Sequence, residues 1–281
     1  MNKRLFVFAG YDNDCIIDES VIMYVRALSK IGDVIFYMDS DADEKQLAKV
    51  KPFTIYSSAH RHGEYDFGSY KRGYIIAKEK NILKNYDWLY LVNDSMYGPL
   101  HPIQPILTKL ESNGRDASGM VFKKHKKEPH LQSWFLGMNK KVFLSDSFDS
   151  FITSIKKLSG KGLIAWVYEH GFTKMLIKNN FSFSGAYIVS GRGVYNNIKK
   201  LYKLGMPFMK KLSFARKNGA LGGQMQYVLN HVNLDTKDAI LKNANRVYGE
   251  KYIKYMLTKN PFKIVHRNIK HVIQKVFIEG I

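Results

Sequence analysis

The chain of 281 residues has one cysteine, Cys15, which excludes an intrachain disulfide framework and any multi-cysteine zinc site. A chain this poor in thiols is expected in a reducing, cytoplasmic setting. No run of about 18 apolar residues occurs, so no spanning helix is expected. The run Leu5–Gly10 is too short for a secretory signal and is followed by Asp12 and Asp14, so it reads as a first strand. Gly-x-Gly-x-x-Gly, the P-loop, internal repeats and low-complexity tracts are all missing. His60 and His62 stand close together without further ligands, which argues against a histidine zinc site there.

Acid is scarce after residue 100. The first hundred residues hold 13 Lys/Arg against 14 Asp/Glu, and the rest hold 31 against 10, so the net charge of +20 resides in the C-terminal two thirds. Such a field attracts polyanions: nucleic acid, anionic lipid or a phosphorylated substrate. Hydrophobic content of 45% and charged content of 24% are those of an ordinary globular protein.

Strand-like and helical patterns alternate at the start. Leu5–Ala9, Val34–Met38, Phe53–Ser57 and Trp88–Val92 read as strands. Asp18–Leu28, residues 44–50 and Tyr70–Lys84 read as helices, with Gly63–Ser69 as a loop. This order predicts a mostly parallel sheet. Further on, Gly119–Phe122, His130–Met138, Lys141–Leu144 and Phe183–Val189 read as strands, and Asp149–Leu158 and Trp166–Lys178 as helices. The last forty residues predict a basic amphipathic helix over about 260–279.

Several constellations bear chemistry. The buried run Trp88–Val92 ends in Asn93-Asp94-Ser95, and open α/β sheets bind ligands at such strand ends. A plain turn would use the same three residues. Asp39 closes the second strand in the same way. Gly68 and Ser69 precede a helix carrying Lys71 and Arg72, which suits an anion such as a diphosphate, or plain capping by Ser69. His130, Gln132 and Trp134 alternate along one strand face, a set that fits sugar hydroxyls and C–H faces. Glu169 sits among Trp166, Tyr168 and Phe172, and burial there is expected to raise its pKa into the range of a general base.

Asp66-Phe-Gly-Ser-Tyr-Lys71, Tyr86-Asp87, Asn93-Asp-Ser-Met-Tyr-Gly-Pro99, His130-Leu-Gln-Ser-Trp-Phe135, Tyr168-Glu-His-Gly-Phe-Thr173 and Met206-Pro-Phe-Met-Lys210 occur in consistent order. Together they resemble the rhamnan synthesis protein F family of bacterial polysaccharide glycosyltransferases. The resemblance implies a GT-A-like (Rossmann-like) α/β fold, a mixed sheet flanked by helices with a basic helical C-terminal extension. It implies a nucleotide-binding half over about 1–100, an acceptor half over about 101–240 and the extension over 241–281. The implied activity is inverting transfer of rhamnose, galactofuranose or a related hexose to a lipid-linked acceptor of O-antigen, lipopolysaccharide, capsule or cell-wall glycan.

By the same resemblance, Asn93, Asp94 and Ser95 stand where GT-A enzymes carry Asp-x-Asp, with one carboxylate instead of two. Asp94 would be the metal ligand for Mg²⁺ or Mn²⁺. Ala9, Tyr11, Asp39, Ser69, Lys71 and Arg72 would join these three around a UDP- or dTDP-linked donor. Glu169 would be the catalytic base, and His130, Gln132 and Trp134 would meet the acceptor. The expected location is cytoplasmic, peripheral on the inner face of the membrane. Two other readings stay open: a non-catalytic glycan-binding protein, and a nucleic-acid-binding protein supported by the lysine and aromatic mixture over Lys199–Arg216, although no nucleic-acid motif occurs and no nucleic-acid partner is expected.

Overall fold

Arg4–Gly10 (β1) is apolar on both faces and buried along its whole length, the pattern of a strand covered on both sides. The computed structural model describes residues 2–125, 128–215 and 221–277. Its contacts divide the chain into two units. The first comprises residues 1–17, 21–94 and 102–191, and the second residues 18–20, 95–101 and 192–281. The expected boundary at residue 240 falls inside a helix of the second unit.

The strands of the first unit are β1, β2 (Asp33–Met38), β3 (Tyr56–Ala59) and β4 (Trp88–Asn93), then, past the short β5 (Met96–Tyr97) of the second unit, β6 (Ala117–Lys124), β7 (His130–Leu131), β8 (Phe135–Asn139) and β9 (Phe183–Ser190). They form one sheet in the order β3-β2-β1-β4-β8-β6-β7, with β9 also on β6. The β3-β2-β1-β4 half is parallel, and β8 joins β4 antiparallel. The expected mixed sheet flanked by helices is therefore present. The chain runs outward from β1 to β3 and then returns to the other side of β1 at β4. The gap between β1 and β4 is thus the topological switch point, where such sheets take ligands.

The helices here are α1 (Glu19–Ser29), α2 (Glu44–Leu47), α3 (Tyr65–Glu79), α4 (Gln104–Glu111), α5 (Lys140–Phe143), α6 (Asp146–Thr153), α7 (Lys161–Ile164) and α8 (His170–Lys178), with a π-helical turn, Ala165–Glu169, leading into α8. α3 lies close on β1: a Cβ at Gly73 would stand 2.3 Å from Val7 Cγ1, so only glycine permits this approach. Several segments differ from expectation. Residues 130–138 break into β7 and β8, 141–143 lie in α5 after Asn139, and α3 starts at Tyr65 instead of Tyr70. The third strand runs over Tyr56–Ala59 instead of Phe53–Ser57, and α6 spans Asp146–Thr153 instead of Asp149–Leu158.

The second unit contains β5 paired with β10 (Met209–Lys210), and α9 (Gly193–Asn196), α10 (Ile198–Lys203), α11 (Gly222–Leu229), α12 (Leu234–Tyr248), α13 (Glu250–Met256) and α14 (Pro261–Phe277). Its core gathers Tyr97, Phe214, Met225, Val228, Ile240 and Met256. Tyr97 donates to Asn243 Oδ1 at 2.5 Å, and Asn243 donates to Asp18, which Arg246 also approaches at 3.4 Å. α14 covers the described part of the expected C-terminal helix; positions 278 and 279 lie outside the described residues, as does Arg216.

A buried ion pair ties the start of β1 to α4. Arg4 Nε and Nη2 donate to Glu111 at 2.5 and 2.8 Å, and Tyr90 donates to the same carboxylate at 2.7 Å, with side-chain exposures of 1% for Arg4 and 3% for Glu111. Removing one partner leaves an uncompensated charge in the interior. Glu111→Ala is expected to cost about 3–5 kcal/mol, and the paired change Arg4→Met with Glu111→Leu far less. Urea unfolding of the three chains checks this, and equal losses in the single and paired variants would contradict it.

Candidate active site

β1 and β4 run in register with Ala9 opposite Asn93. Just beyond, the Asp94 N–H donates to the Ala9 carbonyl at 3.1 Å, and the Tyr11 N–H donates to Asp94 Oδ2 at 3.2 Å. The acidic residue of Asn-Asp-Ser therefore stands at the switch point. Ala9, Tyr11, Asn93 and Asp94 are brought together as expected from their strand ends. Tyr11 is 49% exposed, and the Arg61 guanidinium lies 5.4 Å from its ring centroid. Arg61 has no counterpart among the expected residues; its signal was its place two residues beyond the end of β3. Asn93 Nδ2 donates to Asp66 at 2.8 Å. Ser95 belongs to the second unit, where its hydroxyl accepts from Lys210 Nζ at 3.0 Å.

Asp39 is buried and serves the loop that follows β3. Its Oδ1 accepts the N–H groups of His62 and Gly63 at 2.8 and 2.9 Å, and Oδ2 accepts that of Tyr65 at 3.2 Å. These bonds hold Gly63 and Tyr65 at φ of 69° and 59°, and they start α3 earlier than its local sequence suggests. Ser69 consequently lies in the second turn of α3 and caps nothing; its hydroxyl is 3.0 Å from His62 Nε2. Lys71 donates to the Ile155 carbonyl at 2.5 Å, and Arg72 to Glu64 at 2.6 Å and to the Gly68 carbonyl at 3.0 Å. Ser69, Lys71 and Arg72, expected at a diphosphate, thus hold internal partners here, and Glu64 lies against both cations.

The residues expected at the acceptor also hold internal partners. Trp134 Nε1 donates to Gln132 Oε1 at 2.8 Å, and both side chains are buried, so the two satisfy each other instead of forming an open sugar platform. His130 is buried as well, and it meets Glu169: Nε2 lies 3.3 Å from Glu169 Oε1, while Nδ1 lies 2.9 Å from the Glu128 carbonyl. Glu169 Oε2 accepts from the Ser133 N–H at 2.8 Å and from the Ser133 hydroxyl at 2.7 Å. His170 stacks on His130 with centroids 4.0 Å apart, and its Nδ1 lies 2.9 Å from Glu128 Oε2.

Burial pushes the Glu169 carboxyl up, as the sequence suggested. The bonds from His130 and from the Ser133 N–H and hydroxyl outweigh it and bring the group down to about 2. The expected raised pKa is thus reversed: Glu169 is a fully ionised hydrogen-bond acceptor that orders its surroundings. The order reaches Asp94, since the Trp134 carbonyl, one residue past Ser133, accepts the Asn93 N–H at 3.1 Å. No local pattern signals this link, because its partners stand 36 and 41 positions apart.

A lone carboxylate at Asp94 suits a Mg²⁺ or Mn²⁺ whose other ligands are diphosphate oxygens, since such ions are commonly held by one or two carboxylates plus phosphate. Asp94 belongs to no group of three converging ligand side chains among the described residues. His130, Glu169 and His170 do form such a group.

The rhamnan synthesis protein F family model matches residues 34–278. Nothing among curated proteins matches the chain. Of solved structures, core-mannan synthase A (CmsA/Ktr4) from Aspergillus fumigatus in its Mn/GDP form is similar at 12% identity, over 68% of this chain and 73% of that one, with a TM-score of 0.37. A glycosyltransferase involved in glycosylation of the major capsid of PBCV-1 is similar at 10% identity, over 74% and 93%, with a TM-score of 0.37.

His62 links the Asp39 loop to pH. Burial first, with the Arg72 charge adding and Asp39 opposing, lowers its ring to about 4, and the neutral ring accepts the Glu64 N–H at Nδ1. An unfolded ring titrates near about 6.5. Between these values the unfolded chain binds a proton that the folded one does not. Stability is therefore full above about pH 6.5 and falls as pH drops toward 4, by on the order of 3 kcal/mol. His62→Asn should flatten this part of the curve. Urea midpoints at pH 7 and pH 4.5 check it, and the same pH dependence in both chains would refute a neutral ring.

Proposed function

The chain belongs to the rhamnan synthesis protein F family and is a glycosyltransferase; from that premise we propose that it is an inverting, nucleotide-sugar-dependent hexosyltransferase of surface-polysaccharide synthesis, acting on a lipid-linked acceptor. The observation that carries the donor side is Asp94 at the switch point between β1 and β4, fixed by the Tyr11 N–H. A UDP- or dTDP-linked sugar would lie across these strand ends. Tyr11 and Arg61 would flank it, and Asp94 would hold a Mg²⁺ or Mn²⁺ shared with the diphosphate. When bound, that ion supplies positive charge for the leaving group.

On the acceptor side we assign the cluster of Glu169, His130 and His170. A lone pair of the acceptor hydroxyl forms the new bond to the anomeric carbon. The bond from that carbon to the diphosphate oxygen breaks, and its electron pair leaves with the nucleoside diphosphate. The acceptor proton passes to the cluster, and configuration inverts. Arg61 faces the developing negative charge, where a prealigned cation favours the transition state over the ground state.

α14 supports the lipid-linked part of this reading. Phe262, Val265 and Ile269 lie on one face of that helix and are 82%, 57% and 54% exposed. Arg267 is turned inward and donates to the Met256 carbonyl. No described helix is long and apolar enough to cross a membrane. An exposed apolar stripe on a basic helix fits the surface of an anionic bilayer.

Two measurements test these assignments. Glu169→Gln should lower turnover on the order of 10²-fold with donor binding nearly intact, whereas Asp94→Ala should chiefly weaken donor binding. Transfer assays with a panel of UDP-, dTDP- and GDP-sugars, alongside donor-induced thermal shifts, separate the two effects. Near-normal turnover in the Glu169 variant would remove the cluster from the reaction. Flotation with phosphatidylglycerol vesicles should fall at least tenfold in the Phe262→Ser, Ile269→Ser double variant, and undiminished flotation would remove α14 from membrane contact.

A further inference from the structure

The cluster of His130, Glu169 and His170 has a geometry beyond that of an ion pair. One ligand atom from each side chain lies within 4.8 Å of the other two. What marks the group is how the remaining polar atoms are used. His130 Nδ1 faces the Glu128 carbonyl at 2.9 Å, and His170 Nδ1 faces Glu128 Oε2 at 2.9 Å. Glu169 Oε2 is occupied by the Ser133 N–H and hydroxyl at 2.8 and 2.7 Å. Each side chain is thus anchored through one atom by a group outside the cluster. Metal-binding histidines are oriented in this way, their second N–H donated to a carbonyl or carboxylate, and bound carboxylates are likewise hydrogen-bonded.

The anchoring fixes which atoms remain for the centre: Nε2 of each histidine and Oε1 of Glu169. The closest of these pairs, His130 Nε2 and Glu169 Oε1, is 3.3 Å apart. Ligands about 2.0–2.1 Å from a four-coordinate ion lie roughly that far from each other. The rings of the two histidines are tilted by 30° with centroids 4.0 Å apart. His170 is the more exposed of the pair, and its ligand atom already lies within 4.8 Å of those of His130 and Glu169. The backbone prepares the set as well. The π-helical turn Ala165–Glu169 ends where α8 begins, and it delivers two consecutive residues, Glu169 and His170, to one centre. Such turns recur at functional sites.

We propose that His130, Glu169 and His170 form a site for a borderline divalent transition ion of the Zn²⁺ class, with a fourth position open. Two imidazoles and one carboxylate select such an ion over Mg²⁺ or Ca²⁺, which prefer oxygen ligands throughout. The site differs in place and chemistry from the diphosphate-dependent ion at Asp94. The assignment of the ion rests on the geometry above; only its use in acceptor binding rests on the transferase reading.

Co²⁺ is the probe, because its visible absorption reports the ligand field without any donor or acceptor present. The chelator-treated full chain, titrated with Co²⁺, is expected to bind one equivalent with a visible band of four- or five-coordinate type. Zn²⁺ should displace the Co²⁺ and raise the melting temperature. His170→Ala, at the partly exposed position least able to disturb the fold, and Glu169→Gln should each weaken Co²⁺ binding at least tenfold, and Asp94→Ala should leave it unchanged. Melting curves of the metal-free variants establish that each is folded. Absence of stoichiometric Co²⁺ binding by the folded chain, or binding that survives both His170→Ala and Glu169→Gln, would overturn the proposal. Sugar transfer without such binding would sink the ion and leave the transferase standing, and binding without transfer from any donor would do the reverse.

Discussion

The carboxylate of Glu169 bonded to the backbone and hydroxyl of Ser133 is the contact on which the rest of the site depends. It is made at the junction where a π-helical turn passes into α8, and it seizes the residue that interrupts what would otherwise be one strand from His130 to Met138. Once Ser133 is held, Trp134 presents its carbonyl to Asn93, and Tyr70 of α3 donates to the Ser133 carbonyl at 3.0 Å. The π-helical turn, the β7–β8 junction and the end of β4 are thereby joined by consecutive short bonds. A buried charge that accepts several hydrogen bonds is expensive to leave unpaired, so the contact is made completely or the turn is lost.

The same device recurs around the sheet. Asp39 gathers three N–H groups of the loop after β3, and Asp116 accepts the Ser182 N–H and hydroxyl at 2.8 and 2.9 Å beside the start of β9. These carboxylates close loops whose N–H groups would otherwise be buried without partners. The near-neutral balance of the first hundred residues follows from this use of acid. Lys71 and Arg72 are absorbed by the same economy, through Glu64 and a backbone carbonyl. In the second unit acids are fewer and the lysines turn to aromatic faces: Lys199 and Lys203 lie 4.5 and 5.5 Å from the Tyr227 ring centroid. The excess positive charge remains on that surface.

What the sequence made legible was whatever is encoded locally. β1, β2 and β4 are short apolar runs ended by polar residues, and each was placed to within a residue. Their alternation with helices implied the parallel half, and its strand ends implied Asp94 beside Ala9 and Tyr11. What it concealed depends on partners far along the chain. The start of α3 moved five residues earlier because Asp39, 26 positions upstream, captures the Tyr65 N–H. Residues 130–138 looked continuous because Glu169 lies 36 positions beyond Ser133. Gln132 and Trp134 alternate as a sugar-facing pair would, yet the broken strand lets the indole donate to its neighbour's amide oxygen. His170 was invisible as a partner of Glu169 since consecutive residues on an ordinary helix point about 100° apart, and it is His130, 39 and 40 positions earlier, that packs against both.

Charge accounting at the switch point then constrains how a departing diphosphate is met. Of the cations placed near it from the sequence, Lys71 and Arg72 hold internal partners, and each would have to surrender a bond to reach a ligand. Arg61 lies over the exposed Tyr11 ring with its backbone N–H fixed to Asp41 at 2.8 Å, so the main chain sets its position beside the strand ends, where its side chain also bonds Tyr11. One carboxylate where two are usual reduces the negative charge available to hold an ion. It also reduces the repulsion that an incoming diphosphate meets, and the Coulomb cost of one like charge at close range is of the order of a kcal/mol even with water between. On the proposed reading, Asp94, with Asp66 bonded to the adjacent Asn93, therefore suits an ion that arrives with diphosphate oxygens and not a metal clamp formed by the protein alone.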